Sequence, residues 1–161
     1  MEIYKYSFFA KVIYRFGNII ATILLSIHFF FSLIVMFKVW YYVFPALINF
    51  LVIYVINRYY LKTYKTFPFI IEADNEKIIC KDFFPDNKEV VIKYDDISEL
   101  RGGLFSGYPT RPIYIHDGKQ NITIGFYSHV GNFQKFLTKI LQNIPQSKYN
   151  ETMENLKNGR K

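Results

Sequence analysis

FGNIIATILLSIHFFFSLIVMF, residues 16–37, and VWYYVFPALINFLVIYVIN, residues 39–57, stand on either side of a lone Lys38, and their reading decides how the rest of the chain is read. The first run holds 22 residues and the second 19 without one Asp, Glu, Lys or Arg. As helices rising about 1.5 Å per residue, runs of this length suit a hydrocarbon core of roughly 30 Å. A soluble fold would have to bury two adjacent helices with almost no polar face, an arrangement that globular proteins rarely adopt. The expectation is a transmembrane hairpin over 16–60, with spans at about 16–37 and 41–59.

The net charge of +7 raises the question of nucleic acid, and its distribution answers it. Residues 1–65 carry seven Lys or Arg against Glu2 alone, giving +6, whereas 66–144 carry nine against ten, giving −1. The basic excess lies beside the apolar runs, where cations set orientation, so a nucleic-acid interface is not supported. Lys5, Lys11 and Arg15 precede the first span and Arg58, Lys62 and Lys65 follow the second, against Lys38 alone in the turn. That bias predicts a multi-pass protein of the cytoplasmic (inner) membrane with both termini on the cytoplasmic side. Trp40, Tyr41 and Tyr42 cluster at the hairpin turn and Tyr14, Tyr59, Tyr60 and Tyr64 at the other ends, as two interfacial aromatic belts. The first run is too long for a signal-peptide core and lacks a small-residue cleavage site.

Working outward, residues 1–15 read as a cytoplasmic N-terminal segment whose apolar residues fit neither a helical stripe nor strict alternation, leaving an interfacial helix or a short strand open. Pro45 falls in the first turn of the second helix, where its missing N–H costs least. His28 and Asn49 are the strongly polar side chains at membrane depth, and a lone His and Asn in a two-helix hairpin are expected to bond across the helix interface. Without paired acidic residues the hairpin reads as an anchor rather than a transporter.

After Lys65 the period changes. FPFIIEA, KIICKDF and EVVIKY are short β-branched and aromatic runs separated by DNE and PDNK, the pattern of an antiparallel meander. DDIS marks a tight turn, GLFSGYPTRP an irregular loop, and Asp117-Gly118 the turn of a hairpin between alternating runs. About six strands are expected after the membrane. Phe133, Phe136, Leu137, Ile140, Leu141 and Ile144 then fall at i, i+3, i+4, i+7, i+8 and i+11, one apolar helical stripe that Ser128 or Asn132 can cap and Pro145 stops. Residues 146–161 hold few apolar groups and read as a flexible tail.

The strand runs, the corner IKYDDIS at Ile92–Ser98, the hairpin and the single amphipathic helix resemble a pleckstrin-homology-like (PH-like) domain. Placed after a two-helix hairpin, they are similar to the small membrane-anchored bacterial PH-like proteins, including the YcxB-like group. The resemblance implies an α+β membrane protein in which a PH-like antiparallel β-barrel or sandwich over 66–145 is capped by the C-terminal amphipathic helix. Such a domain has seven strands, one more than the six found after the membrane; Ile3 to Phe8 could supply the seventh.

No Ser, Cys or His pattern points to catalysis. His28, His116 and His129 share no metal-ligand spacing with Cys or acidic residues, so neither a metal nor a cofactor is expected. Asp95 and Asp96 suit a turn, and Cys80, flanked by apolar residues on a strand, suits a core. The expectation is a non-enzymatic adaptor or scaffold that binds a protein partner at the inner membrane. Its contact residues are expected in the loop, where Leu104, Phe105 and Tyr108 are bracketed by Arg101 and Arg111, the residue types of an interface hot spot. The competing arrangement folds these side chains back onto their own domain. Two other functions stay open: a lipid-headgroup module using Arg101, Arg111 and Lys119, and, by resemblance, a bacteriocin or toxin immunity protein.

Overall fold

The computed structural model describes residues 1–106 and 111–158, in two compact units. One comprises Met1–Lys11 with Thr66–Lys161, the other Val12–Lys65.

A short strand, β1 (Glu2–Lys5), opens the chain, within the segment whose sequence left a strand or an interfacial helix open. The first long helix, α1 (Phe8–Val35), begins well before the charge-free run. Ser7 explains the early start, since its Oγ accepts the Ala10 amide at 3.3 Å and its carbonyl accepts the Lys11 amide at 2.9 Å, as an N-cap does. A 3₁₀ turn at Trp40–Tyr42 leads into α2 (Val43–Thr66), with Pro45 in its first turn. Both helices are long and apolar enough to cross a membrane, with mean hydropathies of 2.2 and 1.5 and only 11% of each apolar window buried.

Within the helical unit, polar side chains meet in two layers. In the first, Asn49 Nδ2 lies 2.7 Å from His28 Nδ1 and donates to the Pro45 carbonyl, while the Ser32 hydroxyl donates to the His28 carbonyl at 2.8 Å. In the second, Asn18 Nδ2 donates to Asn57 Oδ1 at 3.0 Å, Asn57 Nδ2 donates to Thr22 Oγ1 at 2.7 Å, and the Tyr64 hydroxyl donates to Asn18 Oδ1 at 2.7 Å. His28 and Asn49 are therefore not alone: Asn18 and Asn57, near the ends of the charge-free runs, carry the larger network. Each layer joins α1 to α2, and buried Asn side chains that find one another fix the register of two helices whose other contacts are apolar and permissive.

The other unit holds two antiparallel sheets. In the first, strands run in the order β1, β2 (Ile70–Ala73), β3 (Lys77–Lys81), β4 (Val90–Lys93). Ile71 faces Cys80, Ala73 faces Ile78 and Ile78 faces Ile92, all with no exposure, while Lys77, Ile79 and Lys81 alternate to the other side. The second sheet orders β5 (Ile97–Gly102), β6 (Ile113–Asp117) and β7 (Ile122–Phe126), with an irregularity between Ile97 and Glu99. Asp117 is fully buried at the β6–β7 turn because its Oδ1 accepts the Lys119 and Gln120 amides, both at 2.8 Å, and its Oδ2 accepts Gln120 Nε2 at 2.9 Å. Among the described residues six strands follow α2, and β1 makes a seventh. Among the described residues, strand pairing does not close the two sheets into a barrel.

The helix α3 (Phe133–Asn143) buries the stripe expected of it, with Phe136 and Ile140 fully enclosed. The Phe136 ring lies 4.8 Å from that of Tyr4 on β1 and 4.9 Å from that of Phe126 on β7, so one side chain touches both sheets. Asn132 occupies the N-cap position in a left-handed conformation (φ 54°) and makes no side-chain cap bond there; its carbonyl accepts the Phe136 amide at 3.0 Å. Pro145 forces Ile144 into an extended conformation and ends the helix.

Residues 146–158, read from sequence as part of a flexible tail, are helical. A further helix, α4, runs over Gln146–Asn158.

Candidate functional site

Of the five residues singled out from sequence, the structure describes the side chains of Arg101, Phe105 and Arg111, and Phe105 does not share the surface with the two arginines. Arg101 is an exposed residue of β5, its guanidinium 3.7 Å from Glu99. Beyond it the backbone turns sharply through Gly102 and Gly103, whose φ values of 81° and 51° favour glycine. A Cβ on Gly102 would stand 2.4 Å from the Pro112 carbonyl oxygen, so the turn also requires the missing side chain. It leads into a 3₁₀ segment, Gly103–Ser106, that carries Leu104 and drives Phe105 into the domain, where it is 5% exposed. Phe105 is a core residue and cannot be a projecting anchor in this conformation. Tyr108 lies outside the described residues. Arg111 is exposed just before β6, whose Tyr114 pairs with Arg101 in register.

The lipid-headgroup set fares no better as a cluster. Arg101 sits opposite Tyr114 toward one end of the β5–β6 pair, whereas Lys119 follows Asp117 at the other. From Tyr114 to Asp117 is already three strand steps of about 3.3 Å, roughly 10 Å, and Lys119 lies two residues further on, so Arg101 and Lys119 start from opposite ends of the strand pair.

Two concave surfaces emerge instead. A cavity of about 180 Å3 is bordered by every residue from Ser98 to Gly102, together with Phe105, and by Lys148, Glu151 and Thr152 of α4. Successive strand residues point to opposite faces, so five in a row mark an edge rather than a face. α4 therefore covers the free edge of β5, and Thr152, 4% exposed, donates its hydroxyl back to the Lys148 carbonyl at 2.8 Å. Covering an edge with a helix prevents unwanted strand pairing.

A larger groove, about 700 Å3, runs between β4 and the β6–β7 turn, lined by Val90, Val91, Lys93, Asp96, Lys119 and Gln120 among others. β4 is the outer strand of its sheet and β7 the outer strand of the other. The Val91 carbonyl accepts Gln120 Nε2 at 2.7 Å, so a side-chain amide stands where a neighbouring strand would supply an N–H. Loop composition drew attention to residues 101–111; an edge strand has no comparable sequence signal, because being outermost depends on which strands pair.

The titratable groups are held by structure. Cys80 is buried, and burial pushes its thiol well above the usual range, which suppresses the nucleophilic thiolate. His116 Nδ1 lies 2.9 Å from Thr123 Oγ1. Asp74 is lowered because its carboxylate accepts the Glu76 and Lys77 amides, both at 2.9 Å, in a turn. Burial raises the hydroxyl of Tyr94, which donates to the Asp74 carbonyl at 3.1 Å. Lys81 is raised, chiefly by its 2.9 Å hydrogen bond to Glu72. Among the described residues, no three His, Cys, Asp or Glu side chains gather where they could hold a metal ion.

No protein family, curated protein or solved structure matches this chain.

Proposed function

We propose that the chain is a non-enzymatic adaptor anchored in the cytoplasmic membrane by the α1–α2 hairpin, with both termini in the cytoplasm, and that its two-sheet domain, similar in layout to the PH-like proteins, holds a protein partner at the bilayer. One observation carries the reading. β1 and β2 are paired from Glu2↔Ala73 to Lys5↔Ile70, and each runs into a long helix, β1 through Tyr6 and Ser7, β2 from α2 through 67–69. The hairpin is thus an insertion between two hydrogen-bonded strands, tied to the domain by two short links. Such a double attachment suits a module that works beside a membrane, where confinement raises its effective concentration for any partner in the same bilayer.

The contact surface in this reading is the groove along β4. An extended partner segment laid there would gain main-chain hydrogen bonds from β4 and side-chain pockets from Val90 and Val91, as in strand addition. Lys93 and Lys119 beside Asp96 would set its register by charge. The test is co-purification in mild detergent from membranes of the source cell. Lys93→Trp, at an exposed position that lines the groove, fills it and should remove captured proteins while leaving membrane insertion and the thermal midpoint within a few degrees of the parent. Phe105→Ala, by contrast, should lower stability by about 3–5 kcal/mol through the cavity it leaves. Undiminished capture by Lys93→Trp would contradict the groove as contact surface.

A further inference from the structure

The face of α2 that bears Phe50, Ile53, Tyr54, Asn57, Arg58 and Leu61 forms an open groove of about 510 Å3 that meets the second polar layer only at Asn57 and has no part in the adaptor surface. These positions fall at i, i+3, i+4, i+7, i+8 and i+11, so the groove follows one side of a single helix. Its walls are apolar and exposed: Phe50, Leu61 and Tyr54 are each more than half accessible. Asn57 contributes little polarity, because its amide is spent on Thr22 and on the Ile53 carbonyl. Arg58 is the exception. It is the first cation after the charge-free run, its Nη1 donates to the Tyr54 hydroxyl at 3.0 Å, and no carboxylate among the described residues pairs with it. A guanidinium with its charge uncompensated stands at one end of an apolar trough that continues about 12 Å along the helix to Phe50.

We propose that this groove binds an anionic phospholipid, with its phosphate on Arg58 and the Tyr54 hydroxyl and an acyl chain along Ile53 and Phe50. The inference rests on the proposed membrane insertion of the hairpin. The planar guanidinium matches a phosphate with two parallel hydrogen bonds, and the tyrosine bond holds it in place beforehand. The apolar wall takes the chain, which a soluble anion lacks. One basic group near an anionic lipid surface supports about a five-fold preference over a zwitterionic lipid.

The test uses the full chain in phosphatidylcholine vesicles carrying a trace of spin-labelled phosphatidylglycerol or spin-labelled phosphatidylcholine. Alkaline carbonate extraction comes first: release of the protein from the vesicles overturns membrane insertion and this site with it. For retained protein, the motionally restricted fraction should be several-fold greater for the glycerol lipid. Arg58→Gln should abolish that excess, whereas Lys38→Gln, at the far end of the hairpin, should keep it. Phe50→Ala should reduce the restricted fraction with Arg58 intact, which separates a chain-seating groove from bare charge. Retention in the membrane with equal restriction of the two lipids, or an excess that survives Arg58→Gln, overturns the site alone.

Discussion

Glu2 accepts a 2.6 Å hydrogen bond from the Tyr4 hydroxyl and lies 3.2 Å and 3.4 Å from the ammonium groups of Lys135 and Lys139 on α3. Chiefly through the tyrosine bond, and then through these lysines, its carboxyl falls from the ordinary 4.5 to about 2. A carboxyl lowered on folding adds stability above its unfolded value, and that contribution is lost as pH falls through the folded one. The parent should therefore be more heat-stable than Glu2→Gln above pH 4.5, and the two should converge as pH drops to about 2. Thermal midpoints across that range in mild detergent check the sign; a gap that widens on acidification would contradict it. Lys11 and Asp82 form a second ion pair of the same kind, again between the N-terminal segment and the sheet unit. Neither pair is visible in sequence, since 71 residues separate Lys11 from Asp82.

Among the elements, α3 offers the cleanest contrast between side chains that pack and side chains that do not. Phe136 is fully enclosed and touches aromatic rings of both sheets, whereas the Lys135 side chain is 64% exposed and reaches only Glu2. Phe136→Ala should cost about 3–5 kcal/mol and Lys135→Ala within about 0.5, measured by thermal unfolding of the intact protein. Equal effects would mean that α3 does not close the core. The stripe of α3 was legible because its period is local, and so was the alternation of Ile78 and Cys80 on β3. α4 was not, because in QSKYNETMENLKN only Tyr149, Met153 and Leu156 are apolar, a stripe too sparse to stand out among so many polar residues; it is placed by the edge of β5, a tertiary neighbour with no local signature. GLFSGYPTRP announced an irregular loop from Gly103 onward, but the direction of the turn into it, and with it the burial of Phe105, depends on the close approach of Pro112 and Ile113 to Gly102 and Gly103. Asn18 and Asn57 likewise look unremarkable until the hairpin register brings them within 3.0 Å.

At the scale of the whole molecule, two apolar helices lie between paired strands of a two-sheet domain, and the account joins anchoring and binding through that insertion. Length and charge patterning made the helices and the change to β structure readable from residue 66 onward, while the joining of β1 to β2 across more than sixty residues was open until the pairing was seen. The central claim is that 16–60 crosses the membrane twice with both termini inside. Topology reporters placed at Lys161 and inserted beside Lys38 test it directly in intact cells. The account predicts that the reporter at Lys161 is active only in the cytoplasmic form and the one beside Lys38 only in the exported form; reporters that fall on the same side would contradict it.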